Sequence, residues 1–179
     1  MTLPMLVYHL MKAELVSCRA DDTLERAAQL MWENDIGFLP VVDLSEQLTG
    51  VITDRDALMA AYTRGAALVC LRVETAMAHE PITCTIHDEI TAIEHRMVAH
   101  KIRRLPVVDD QHKPIGVVTL FDIARAAQHG HEVSPKGTSW ALAAITEPRH
   151  VPRATPSFTD RYPDPRGDGR GTSACSGIP

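Results

Sequence analysis

The chain spells one unit twice. Leu39 opens "LPVVD", and Leu105 opens the same five letters 66 residues later. The same offset carries Gly50 of "GVITDRD" to Gly116 of "GVVTLFD", Thr53 to Thr119 and Asp56 to Asp122. It also relates Met11 to Met77, Cys18 to Cys84, Met31 to Met97 and Ala60–Ala61 to Ala126–Ala127, with no gap between them. A repeat of this kind demands two like halves, one over residues 7–64 and one over 73–130.

The periods inside one unit predict its elements. "LVSC" and "PITC" are short β-prone runs. A helical pattern follows, with Leu24, Ala27, Ala28 and Met31 on one face and Ile90, Ile93 and Met97 on its counterpart. "FLPVVD" and "RLPVVD" read as strands, and after a few polar residues "LTGVIT" and "PIGVVT" read as further strands. So short a link suits an antiparallel hairpin, because a parallel crossover needs about a dozen residues or more. A second helix then starts near Thr53 or Thr119. The unit is β-α-β-β-α, an α+β module too small to bury its sheet well alone. Two copies packed sheet to sheet about a pseudo-two-fold axis would share one core.

Composition adds boundaries. Of 179 residues 45% are apolar and only 4% aromatic, so aliphatic side chains must fill that core. The net charge of -5 gives no basic footprint for nucleic acid. No run approaches the roughly 20 apolar residues that span a bilayer, and the opening "MTLPMLVYHLMK" lacks the basic start of a signal peptide. Cys18, Cys70, Cys84 and Cys175 show neither metal spacing nor a dense disulfide pattern. No metal is expected, the first three read as packed small hydrophobes, and the cytoplasm is the expected location. His129 and His131 stand close together without further placed ligands. Beyond Gly130 come seven of the 12 prolines. Residues 131–179 read as a Pro/Gly-rich, largely disordered extension in which only "SWALAAI" keeps an apolar period.

The Thr-x-x-Asp element sits where a strand ends and a helix begins. Thr followed three residues later by Asp is close to a capping box. The same place is a ready anion site, with free backbone N–H groups and the positive end of the helix dipole. A carboxylate there can accept from both hydroxyls of a ribose.

Together, "LPVVD" and "G-V-[IV]-T-x-x-D" at fixed spacing, twice, resemble the CBS domain, which occurs as tandem pairs called Bateman modules. The resemblance covers residues 7–130. It implies a regulatory sensor that binds AMP, ADP, ATP or a related adenosyl ligand in clefts between the paired units, with no obligatory cofactor. Carried over, Thr53 and Thr119 would contact phosphate and Asp56 and Asp122 ribose, with adenine against Val16 and Ile82. Arg55, Arg103 and Arg104 are candidate phosphate partners, since Arg offers bidentate geometry. The family also implies a homodimer formed through its helices and an unknown regulated protein target. The alternative is a scaffold whose pockets are vestigial. No Walker A loop, G-x-S-x-G or HExxH motif supports an enzyme.

Overall fold

The computed structural model describes residues 4–128 and 133–147. In the first repeat β1 (Cys18–Arg19) leads to α1 (Leu24–Glu33), β2 (Phe38–Val42), β3 (Leu48–Thr53) and α2 (Asp54–Arg64). After β4 (Ala78–His79) come α3 (Ile90–His100), β5 (Arg104–Val108), β6 (Pro114–Thr119) and α4 (Leu120–Gln128) of the second repeat. Helix α5 (Pro135–Thr146) follows. The expected α+β pair of repeats is what the structure shows.

Each local signal has a visible cause. Thr23 caps α1 by accepting from the Arg26 amide at 3.1 Å, and the face predicted for that helix buries Leu24, Ala27 and Met31. Ile90, Ile93 and Met97 are buried on α3 in the same way. Helix α2 ends at Gly65, whose left-handed backbone (φ 61°) costs glycine little. The hairpins β2–β3 and β5–β6 are antiparallel as the short links predict. Both carry a register shift at matching places, between Val41 and Val42 and between Val107 and Val108.

The sheets are completed by exchange. β4 precedes the second repeat's hairpin but pairs with β3 of the first, Ala78 against Val51. Reciprocally, Lys12 of the first repeat bridges to Val117 of the second. The helix entrances repeat the pattern. The Leu24 amide donates to the Leu71 carbonyl at 2.8 Å and the Ile90 amide to the Met5 carbonyl at 2.9 Å. Val73 donates to Asp22 and Val7 to Asp88, each at 2.9 Å. Every one of these pairs maps onto its counterpart under the 66-residue offset applied in opposite directions. That reciprocity is the signature of a pseudo-two-fold relation.

The exchange explains the glycine that opens each "GV[IV]T". A β-carbon on Gly50 would stand 2.9 Å from the Ala78 carbonyl oxygen, and one on Gly116 would stand 2.7 Å from that of Lys12. Any larger residue would push the exchanged segment away. The exchange also alters the expected single core, because the buried residues form two clusters. One holds Val73 among first-repeat residues such as Leu24, Leu39 and Ile52. The other holds Val7 among Ile93, Leu105 and Ile123 of the second. Each repeat thus finishes the other's core.

The C-terminal extension begins with order. Val133, Ala141 and Ile145 join the second cluster, and α5 packs on α3 and α4. Residues 148–179 of the expected 131–179 extension, and His129 and His131, lie outside the described residues.

Candidate functional site

Both Thr-x-x-Asp elements are closed capping boxes. Thr53 donates its hydroxyl (2.6 Å) and its amide (3.0 Å) to Asp56 Oδ2, and the Asp56 amide donates back to Thr53 Oγ1 at 3.2 Å. The second copy repeats this, with the Thr119 hydroxyl and amide on Asp122 Oδ2 and the Asp122 amide on Thr119 Oγ1 at 3.1 Å. Such a box is worth about 1 kcal/mol to its helix.

What surrounds the two boxes differs. A cavity of about 540 Å³ is lined by Val16, Ile36, Pro40 and Val117 on its apolar side, and by Thr119 at the start of α4. Lys12, Arg103 and Arg104 bring cations to the same cavity, and Glu14 and Asp35 bring carboxylates. Neither arginine belongs to the ion pairs described, which are Lys12–Asp122, Arg19–Asp21, Arg96–Asp88 and Lys113–Glu46. Asp122 is 8% exposed. Its Oδ2 holds Thr119 and its Oδ1 lies 3.7 Å from Lys12 Nζ. Lys12 is therefore placed to couple the cavity to the buried carboxylate.

Of the residues expected from sequence, Val16, Thr119, Arg103 and Arg104 come together here, and Asp122 is bonded to two lining residues, Thr119 and Lys12. Val16 is a first-repeat residue and Thr119 a second-repeat one, so the cavity is built across the repeats. Thr53, Asp56, Arg55, Ile82 and Asp122 line neither of the two cavities described. Arg55 is exposed at the start of α2, and Ile82 packs half-buried against the second cluster. Sequence reasoning missed Lys12, Glu14, Asp35, Phe121, Thr138 and Leu142. Lys12 stands opposite Ala78 at the repeat offset, a difference that could have flagged it.

A second cavity of about 480 Å³ lies between α1 and α2, lined by Ala28, Met31, Trp32, Ala57, Leu58 and Ala61 among others. Trp32 is 88% exposed beside it. No group of His, Cys, Asp and Glu able to hold a metal occurs among the described residues. Cys18 and Cys84 are buried free thiols in separate clusters. Burial, then the nearby charge of Asp22 or Asp88, pushes each thiol up to about 12. Cys70 is only half-buried, unlike the other two.

A tandem repeat with exchanged leading segments and a cleft across the two halves defines a paired-domain fold. The CBS domain model matches residues 7–62 and 73–129, and the chain belongs to the CBS domain family. Uncharacterized protein YlbB of Bacillus subtilis is 33% identical over 123 residues, covering 66% of this chain and 80% of that one. Inosine-5'-monophosphate dehydrogenase of Methanocaldococcus jannaschii is 30% identical over 141 residues, 79% of this chain, which spans only 27% of the enzyme. Among solved structures, the CBS domain pair of protein MJ0100 superposes with a TM-score of 0.65 at 25% identity, covering 71% of this chain and 98% of that one. That pair was solved with 5'-methylthioadenosine and S-adenosyl-L-methionine. No described helix is long and apolar enough to cross a membrane.

Proposed function

We propose that the protein is a regulatory sensor of an adenosine-containing ligand, an adenine nucleotide or related adenosyl compound, bound in the cavity between Val16 and Thr119. The observation that carries this reading is the composition of that one cavity. It offers apolar walls for a base, the N-terminal end of α4 for an anion, and two arginines with no described ion pair. The adenosyl ligands of the related MJ0100 pair support the ligand class. Phosphate would meet Thr119, Arg103 and Arg104, and base the Val16 side. Asp122 would reach ribose if Lys12 swings away from it. The counterpart residues Thr53, Asp56, Arg55 and Ile82 form the weaker site or none, with the Thr53–Asp56 pair acting first as a helix cap.

In this reading the module acts on a separate protein in the cytoplasm and works as a homodimer. The open α1–α2 face with Trp32 and Leu58 is its seat. The same face is the one observation that favours the alternative role as a ligand-free scaffold. A melting assay with ATP, ADP, AMP and S-adenosylmethionine separates the two. Ligand at 100 times its dissociation constant adds about 2.7 kcal/mol, a shift on the order of 5–15 °C for a module of this size. A panel with no shift, on protein from which mass spectrometry finds no copurified ligand, gives the scaffold the lead. Light scattering of a monomer at micromolar concentration would remove the dimer.

A further inference from the structure

Helix α5 lies outside both repeats, yet Thr138 and Leu142 on it line the cavity. Ala141 and Ile145, on the same face of the helix, sink into the second-repeat cluster. At its first turn Thr138, 5% exposed, donates its hydroxyl at 2.6 Å to Oε1 of Glu94 on α3, which is itself 4% exposed. The other carboxylate oxygen lies against the same turn, 3.4 Å from where a β-carbon on Gly137 would stand. A carboxyl buried this far needs polar partners, and the start of a helix favours negative charge. The Glu94–Thr138 pair therefore acts as a latch that is complete only while α5 is docked. The first repeat has Ala28 where the second has Glu94, and its α1–α2 face is open where α5 covers α3 and α4.

We propose that α5 is a ligand-sensing wall: occupancy of the Val16–Thr119 cavity and docking of α5 on α3 and α4 stabilise one another. This rests on the reading of that cavity as an adenosine-ligand site. A ligand that touches Thr138 or Leu142 binds the docked form more tightly than the undocked one. By linkage it must then hold α5 in place by the same factor. The family model stops at residue 129, so this coupling belongs to the chain's own addition and not to the repeats.

The test uses the full chain and ATP as the probe, with S-adenosylmethionine in its place if only that ligand binds. Hydrogen exchange is followed at α5 amides and at core amides such as Leu39 and Ile52. Saturating ligand is expected to slow α5 exchange by about tenfold or more. Thr138→Val, which keeps shape and removes the donor, should speed α5 exchange and weaken ligand binding by about fivefold or more. Leu142→Ala, at a position 49% exposed, should weaken binding with core amides still protected. Ligand that binds with α5 exchange unchanged overturns the coupling alone. So does a Thr138→Val chain whose loosened α5 leaves affinity as it was. No binding of any panel ligand overturns the cavity reading and the coupling together.

Discussion

The two repeats share a backbone and divide the chemistry. Their correspondence reaches details that side chains do not advertise. Asp35 and Lys101, one offset apart, both take a left-handed conformation (φ 52° each), as do Glu46 and His112 in the hairpin turns (φ 63° and 62°). Both hairpins shift register at the same place and both Thr-x-x-Asp boxes close. The surroundings diverge. The second box faces Lys12, Arg103 and Arg104, whereas the matching positions for the first are Ala78, Gly37 and Phe38. Glu94 latches α5 where Ala28 leaves a groove. The lesson is that the two halves share a backbone geometry in which each completes the other, while Lys12, Arg103 and the extra wall stand at one cavity alone and Arg104 reaches both.

The largest expected effect comes from separating the halves. Residues 1–66 alone should be unfolded by circular dichroism, because Val73 and β4, which finish their core and sheet, are on the other piece. Mixing with residues 67–179 should restore the native spectrum. A cooperative melt of either piece alone would show that exchange is dispensable. Next in size, Gly116→Val should destabilise the chain by about 3 kcal/mol in urea denaturation, since the new side chain meets the Lys12 backbone. Gly50→Val should cost about as much, against Ala78. A large difference between them would break the equivalence of the two crossings.

Smaller effects test the division of chemistry. Asp56→Ala and Asp122→Ala each remove one side of a capping box and should each cost about 1 kcal/mol of stability. Only Asp122→Ala should weaken ATP binding, by about tenfold, in titration calorimetry. Equal losses of affinity would make the two sites equal, with the chemistry undivided between the repeats. Arg103→Ala should weaken ATP more than adenosine, as only the phosphates carry charge for it to pair with. Equal weakening of the two would place the arginine away from phosphate.

The smallest contrast is between the two buried thiols. Each has its native titration raised from 9.0 to about 12. The native state therefore holds the proton more tightly than the unfolded chain. That stabilisation is fully present below pH 9 and is lost as pH rises from 9 toward 12. At pH 8 mass spectrometry should find Cys18 and Cys84 equally unlabelled by iodoacetamide in the folded protein. Preferential labelling of one would mean that its cluster opens more readily than the other.

Local order was legible in the letters. The 66-residue offset announced two units, the i, i+3, i+4 spacing of Leu24, Ala27, Ala28 and Met31 announced a helix face, and short polar links announced hairpins. Thr-x-x-Asp announced a cap. These depend on neighbours within one turn or one hairpin, so the amino-acid sequence by itself determines them. The lining of the candidate cavity was legible only in part, through Val16, Thr119, Arg103 and Arg104. What tertiary structure alone decided was which repeat each segment serves. Lys12 and Met77 carry no local sign that they cross to the opposite repeat, and the left-handed Asp35 carries no glycine to mark it. Thr138 looked like part of a tail until packing set it against Glu94. Contacts between residues 44 or 105 positions apart, as in Thr138–Glu94 and Lys12–Val117, are chosen by which buried surfaces fit, and a linear pattern holds no record of that choice.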